Sequence, residues 1–226
     1  MLNSLFENFK NIIVFDIETT GMNSKSDEII EIAMLRIVNE QGAPVIADEF
    51  GMLVTLSPGK RLPPKITELT GITEEQLDEG GIDKEVVAER IAEMLSTDTP
   101  LLVAYNAQFD LGFLYHFLNN YGKAGLLKNV KMLDALTVFK DRKPYPHKLS
   151  DAAVAYSINM ANAHRALDDT KITYEVLCEM DKESDDLVNY VNLFGYNPKY
   201  GVSGAKISSV KYLPQPYNNI KKLYDC

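Results

Sequence analysis

The stretch IVFDIETTG, residues 13–21, places two carboxylates inside a run that otherwise has the composition of a buried β-strand. Side chains alternate between the two faces of a strand, so Asp16 and Glu18 point the same way. Phe15 and Ile17 point to the opposite face. Two neighbouring carboxylates repel each other and are costly to remove from water, so the pair requires cations or strong hydrogen-bond donors. A divalent metal ion is the simplest partner, and solvated charges on an open sheet face are the alternative for this motif alone.

The composition is that of an ordinary globular chain, with 226 residues of which 46% are hydrophobic and 24% charged. This length is enough for one sizeable domain with its own core. No run is apolar enough for a membrane span or a secretory signal, and two cysteines give neither a disulfide framework nor a zinc site. We therefore expect a cytoplasmic protein with no membrane association.

Charge is unevenly distributed along the chain. The formal net charge is −9, which argues against binding of nucleic acid mainly through a broad basic surface. Residues 191–226, however, have a net charge of +4 and interleave lysines with tyrosines. Such a segment can bind single-stranded nucleic acid by charge and stacking, or it can pack on the domain or on a partner protein. We predict one domain at 1–182 and a C-terminal basic and aromatic extension at 183–226, packed on that domain.

Hydrophobic patterning predicts an α/β fold around a mixed sheet. Three antiparallel strands are predicted first, at 12–18, 28–38 and 45–55. Two helices follow, at 65–78 and 83–96. The rest of the chain alternates, with strands predicted at 101–104 and 130–133 and helices at 108–121, 148–157 and 165–180.

Two further segments carry polar residues where the chain leaves a strand or enters a helix. NAQFD contributes Asn106 and Asp110, and HRALDDT contributes His164, Asp168 and Asp169. Taken alone, a carboxylate in the first turn of a helix is explained by the helix dipole. A lone histidine near a helix start is equally well explained as structural.

Together, the segments FDIETTG, NAQFD and H-x4-D resemble, in order and spacing, the three motifs of the DnaQ-like DEDDh exonucleases. Their text is similar to that of the proofreading epsilon subunits of bacterial DNA polymerase III, and the resemblance covers roughly residues 10–180. It implies a ribonuclease H-like three-layer fold, with a mixed five-stranded sheet, three antiparallel strands then two parallel, flanked by helices. Arg165 stands where the sister DEDDy family has tyrosine, which favours the histidine type.

The resemblance also implies roles for individual residues. Four carboxylates would hold two divalent metal ions, Mg²⁺ or Mn²⁺, and they are Asp16, Glu18, Asp110 and Asp169. His164, the fifth catalytic residue, would deprotonate the attacking water near neutral pH. The residues expected to contact the terminal nucleotide are Thr20, Gly21, Met22, Asn106 and Phe109.

Helical periodicity gives one check on these roles. On a regular helix Asp168 lies closer than Asp169 to the face of His164. The resemblance therefore requires His164 to precede the helix, in a loop. Tyr105 stands where many relatives have histidine, and we expect an altered substrate contact there. His147 is expected to be structural.

The implied activity is 3′ to 5′ removal of nucleoside 5′-monophosphates from DNA, in proofreading or repair. The expected partners are nucleic acid 3′ ends, above all single-stranded DNA, and a DNA polymerase subunit. An exoribonuclease that trims RNA or short oligoribonucleotides is the main alternative. A non-catalytic nucleic-acid-binding module is the other, and the complete set of five catalytic residues argues against it.

Overall fold

The computed structural model describes residues 1–128, 130–160, 165–217 and 221–226, and it places five strands in one sheet. They are β1 (Asn11–Thr19), β2 (Ile29–Glu40), β3 (Ala43–Leu53), β4 (Pro100–Ala104) and β5 (Lys131–Asp134). The spatial order is β3-β2-β1-β4-β5. β2 pairs antiparallel with β1 and β3, whereas β4 pairs parallel with β1 and β5. The predicted mixed sheet of three antiparallel strands followed by two parallel strands is confirmed.

A two-residue turn joins β2 to β3. Gln41 and Gly42 both have positive φ, 54° and 88°. Short hairpin turns favour this conformation because its twist matches that of the flanking strands. β3 begins earlier than predicted and includes Pro44, opposite Asn39. Proline lacks an N–H donor and is accommodated there because β3 is an edge strand.

The described residues form eight α-helices. They are α1 (Asn3–Phe6), α2 (Pro64–Thr70), α3 (Glu74–Gly80), α4 (Lys84–Leu95), α5 (Ala107–Asn120), α6 (Ala135–Arg142), α7 (Leu149–Ala155) and α8 (Ala166–Glu183). The single helix predicted at 65–78 is two helices, because Gly71 (φ 72°) ends α2 and Thr73 caps α3. α6 lies outside the predicted elements. In the part of the chain that the structure describes, no helix is long and apolar enough to cross a membrane.

Helices cover both faces of the sheet, and β1 divides its side chains between two cores. Ile13 and Phe15 pack in one core with α4 and α5. Ile12 and Val14 pack in the other with α6, α7 and α8. The alternation of a strand places Asp16 on this second face, which α8 crosses. The fold therefore brings α8 beside the end of β1 that carries the two carboxylates.

The chain beyond α8 packs against both cores, with Phe194 and Val210 in the first core and other residues in the second. Its buried residues in the second core include Leu187, Tyr190, Leu193 and Leu223. Asn192 N–H donates to the carbonyl of Met132 in β5 (2.7 Å). β6 (Leu193–Tyr196) and β7 (Lys211–Pro214) form a separate parallel pair. The division of the chain at residue 183 stays a prediction.

Candidate active site

Three carboxylates meet at the end of β1. Asp16 and Glu18 lie on the face of β1 that α8 crosses, and Asp169 lies in the first turn of α8. One oxygen atom from each lies within 4.8 Å of the others. Asp168 is the neighbour of Asp169 in the same turn, yet Asp169 is the member of this group. The structure therefore places Asp169, the aspartate that motif resemblance selects, beside Asp16 and Glu18. Simple helical periodicity favours Asp168.

Asp110 approaches the same place from the other side of the sheet. It lies in the first turn of α5 and is only 3% exposed. Burial raises the pKa of Asp110 well above its usual range, and the charges of Asp134 and Glu18 add to this, although backbone hydrogen bonds, one involving Ile17, oppose it. Among the neighbouring charges, that of Asp110 contributes most to raising the pKa of Asp16. Four predicted carboxylates thus converge at the carboxyl end of β1.

Burial and mutual repulsion raise the pKa values of the carboxylates at the end of β1. Burial is the main cause that raises the pKa of Asp16 well above its usual range, followed by the charges of Asp110, Glu18 and Asp169. Burial also raises the pKa of Glu18 from 4.5 to about 7, and the charge of Asp169 adds to the shift. An oxygen-only set of crowded carboxylates is the donor set that hard divalent cations prefer. The residues present therefore fit a divalent metal site.

Glu31, which lies outside the predicted site, supports the acidic group from β2. It stands opposite Glu18 in the β1–β2 register and is 3% exposed. Its Oε1 accepts hydrogen bonds from Arg165 Nε (2.9 Å) and Nη2 (2.6 Å), and its Oε2 accepts one from Ala166 N–H (3.0 Å). In the sequence, the role of Glu31 is indicated only by its place in the strand-like run DEIIEIA, as a carboxylate among apolar residues.

Asp134, also outside the prediction, holds the start of α5. Its Oδ1 accepts hydrogen bonds from the N–H groups of Asn106 (2.9 Å) and Ala107 (3.1 Å). Its Oδ2 accepts from the N–H (3.2 Å) and hydroxyl (2.6 Å) of Thr137. The buried carboxylate thereby positions the turn that carries Asp110. Asp134 is thus both the last residue of β5 and the N-cap of α6, a position that aspartate favours.

The turn after β1 contains three of the residues expected to contact substrate. Thr20 Oγ1 accepts a hydrogen bond from Glu28 N–H (2.9 Å). A Cβ atom on Gly21 would lie 2.5 Å from Asp27 Oδ2, so a side chain at this position would displace the Asp27 carboxylate. Met22 is 82% exposed. The turn is therefore shaped by its own contacts, and contact with a nucleotide stays a prediction.

The other two expected substrate residues flank Asp110. Asn106 has a left-handed backbone (φ 71°) and precedes α5. The ring of Phe109 packs 5.0 Å from that of Phe113, between centroids, at the border of the first core. Their substrate contacts also stay predictions.

The histidine expected to act as a base, His164, lies outside the described residues. α8 begins at Ala166, with Arg165 as its N-cap. His147 is buried, and its Nε2 is paired with the carbonyl of Lys143 (2.9 Å). The Tyr105 hydroxyl donates to the carbonyl of His147 (2.9 Å), so Tyr105 connects the end of β4 to this loop.

Comparison with known proteins identifies the family. The model of the Exonuclease family matches residues 13–177. A DNA polymerase III of PolC type from Clostridium perfringens is 34% identical over 233 residues, which is 99% of this chain but 15% of the relative. The corresponding protein of Bacillus subtilis is 33% identical over 176 residues, or 76% of this chain and 11% of the relative. The chain therefore spans only a small part of the curated relatives that it matches.

Solved structures give the same fold. Exonuclease I of E. coli, in a zinc-bound complex with single-stranded DNA, matches with a TM-score of 0.71 and 18% identity, over 80% of this chain and 42% of that one. Exonuclease I from Methylocaldum szegediense matches with a TM-score of 0.66 and 20% identity, over 80% and 42%.

The chain belongs to the exonuclease family. The predicted DnaQ-like membership and ribonuclease H-like fold are confirmed. The family implies a divalent metal, for which the acidic group at the end of β1 is the candidate site.

Proposed function

We propose that this chain is a 3′ to 5′ exonuclease that removes nucleoside 5′-monophosphates from DNA, with single-stranded 3′ ends as its preferred substrate. The observation that carries the proposal is the meeting of Asp16, Glu18 and Asp169 within 4.8 Å, with Asp110 beside them. Two divalent ions, Mg²⁺ or Mn²⁺, fit this oxygen-only set, whereas zinc prefers histidine or cysteine ligands. When bound, such ions stabilise charge on the attacking and leaving oxygens of a phosphodiester.

The chain's own residues divide the remaining tasks. Asp16, Glu18, Asp110 and Asp169 hold the ions. His164 accepts the proton of the attacking water on an imidazole nitrogen, because an unperturbed histidine has a pKa of about 6.5 and is largely neutral at pH 7. The turn Thr20–Met22 follows β1, and Asn106 and Phe109 lie with Asp110 at the start of α5. These positions support a role for both segments in binding the terminal nucleotide.

The names of the relatives and the ligand of one solved structure support DNA rather than RNA as the substrate. The PolC-type proteins are named as DNA polymerases, and the E. coli neighbour was crystallised with single-stranded DNA. We therefore propose proofreading or repair as the cellular role, with a DNA polymerase as partner. The cytoplasmic location expected from the sequence stays a prediction.

A time course with 5′-labelled DNA and RNA oligonucleotides of matched sequence tests the proposal. The expected result in Mg²⁺ is a ladder that shortens from the 3′ end of DNA, lost with EDTA and absent from Asp16→Asn protein. Single-stranded and mismatched duplex DNA ends compared in the same assay report the preferred end. Replacing Mg²⁺ by Mn²⁺ compares the two metals.

Other outcomes select the alternatives. A faster ladder on RNA would move the protein to RNA trimming with the same chemistry. Binding of either oligonucleotide without any ladder would identify a non-catalytic nucleic-acid-binding module.

A further inference from the structure

Glu31 connects the strand opposite Glu18 to the start of α8. Its two oxygens receive three hydrogen bonds, two from the guanidinium of Arg165 and one from Ala166 N–H. A carboxylate as buried as Glu31, which is 3% exposed, requires such donors because desolvation is otherwise costly. The Arg165 side chain is 49% exposed, so the pair joins a buried acid to a cation at the surface of the site.

These bonds fix the part of α8 that carries a site carboxylate. Ala166 is the first residue of α8, and Asp169 follows in the same turn. Asp169 N–H also donates to the carbonyl of Arg165 (3.0 Å). Any movement of Arg165 and Ala166 relative to β2 therefore moves Asp169 relative to Asp16 and Glu18.

We propose that Glu31 and Arg165 are positioning residues that set the place of Asp169 and thereby the affinity of the site for metal. This inference rests on the proposed function, since it assumes that the acidic group holds a divalent ion. Outer residues that orient metal ligands change metal affinity by roughly 10–100-fold when removed.

Charge alone predicts a different pattern, which makes the inference testable. Glu31 is negative and Arg165 is positive, and the charge of Arg165 lowers the pKa of Glu18 whereas the charge of Glu31 raises it. If the two acted only through space, loss of Glu31 would weaken cation binding and loss of Arg165 would strengthen it. Positioning predicts weaker binding in both cases, because either change removes hydrogen bonds that hold α8.

The test measures Mn²⁺ binding to the full chain by calorimetry and by electron paramagnetic resonance, without substrate. The variants are Glu31→Gln, Arg165→Gln and the double variant, and melting temperature is measured for each. Lys171→Gln is the matched control, because it removes a positive charge from the same helix but one that pairs with Glu49 of β3 (3.4 Å) and not with Glu31. We expect about tenfold weaker binding in both single variants, no further loss in the double variant, and unchanged binding in the control.

Tighter or unchanged Mn²⁺ binding in Arg165→Gln would overturn the inference. If Glu31→Gln does not fold, Arg165→Gln still decides the question. The Arg165 side chain is half exposed, so its replacement is expected to leave the fold intact. A wild-type protein that binds no Mn²⁺ would overturn the proposed function and this inference together. Wild-type binding whose affinity is unchanged or tighter in Arg165→Gln overturns this inference alone.

Discussion

Glu18 illustrates the energetic cost of burying several carboxylates close together. Burial and the neighbouring carboxylates raise its pKa from 4.5 to about 7. Between these pH values the folded chain binds more protons than the unfolded chain, so the free energy of unfolding falls as pH rises. A divalent ion bound by these carboxylates would offset this repulsion and thereby stabilise the fold.

We predict that metal-free protein loses stability as pH rises from about 4.5 to about 7 because of Glu18. At 1.36 kcal/mol per pKa unit, the loss from this residue is at most about 3 kcal/mol. Urea denaturation in EDTA across this range, for wild type and Glu18→Gln, gives the contribution as a difference. The variant should lose less stability than wild type. Parallel curves for the two proteins would contradict the prediction.

Asp168 and Asp169 form a natural matched pair. Only Asp169 of the two lies in the described group with Asp16 and Glu18. We predict that Asp169→Asn lowers kcat by more than about 100-fold, because the loss of a metal ligand exceeds the effect of outer residues. Asp168→Asn should cause a far smaller loss. Steady-state digestion of labelled DNA at saturating substrate measures kcat for both variants, and the reverse order would show that Asp168 is the functional residue.

At the scale of elements, the start of α5 depends on an unusual backbone. Asn106 has φ 71°, and its side chain makes no N-cap hydrogen bond. Asparagine and glycine adopt this left-handed conformation more readily than other residues. Asn106 can therefore be replaced by glycine, which removes the side chain without straining the backbone.

We predict that Asn106→Gly keeps the stability of the protein, whereas Asn106→Ala lowers it by about 1 kcal/mol. If Asn106 contacts the terminal nucleotide, Asn106→Gly should raise KM although the fold is intact. Chemical denaturation and steady-state kinetics separate the two effects. Wild-type kinetics in Asn106→Gly would remove this residue from the substrate site.

Elements with local signals could be predicted from the sequence, and those that depend on distant contacts could not. The five strands follow from apolar runs and turns. The break between α2 and α3 has a local cause, Gly71 and the capping box of Thr73 and Gln76, but the apolar spacing continues across it. α6 follows β5 with no loop, because Asp134 is both the last strand residue and the helix cap. A turn or loop usually marks the boundary between a strand and a helix. Because none separates β5 from α6, the prediction missed α6.

The site shows the same limit. Asp16, Glu18, Asp110 and Asp169 could be found because each belongs to a short motif. Glu31 is also in a recognisable strand, but its partner Arg165 lies 134 residues away. No local pattern reports such a pair, so the residues that hold the predicted carboxylates in place appear only in the folded chain.

For the whole molecule, the C-terminal extension has two separable parts. Leu187, Tyr190, Leu193 and Leu223 are buried in the second core. Lys199 and Lys206, by contrast, are exposed, and each lies over a tyrosine ring, at 5.2 and 5.6 Å from the centroid. Gln108, in the first turn of α5, donates to the carbonyls of Ser203 and Ala205 (2.9 Å each). The basic part is therefore attached to the helix that carries Asp110.

We predict that Leu193→Ala destabilises the protein by about 2–5 kcal/mol, as expected for a buried leucine, with no direct effect on DNA affinity.

The double variant Lys199→Ala, Lys206→Ala should keep the melting temperature, weaken binding of single-stranded DNA and reduce its salt dependence. Fluorescence anisotropy over a salt series, with Asp16→Asn to prevent digestion, measures this. If the lysine variant binds single-stranded DNA as tightly as wild type, the role of the extension is purely structural.

Thr137 links the acidic site to this extension. Its hydroxyl donates to Asp134 (2.6 Å) and accepts from Gly195 N–H (3.0 Å), while Asp134 holds the amides of Asn106 and Ala107. Segments distant in sequence thus share one set of hydrogen bonds, and such sets open as a unit. In amide hydrogen exchange, the protons of Ala107, Thr137 and Gly195 should therefore report one common opening event, which Asp134→Asn accelerates for all three.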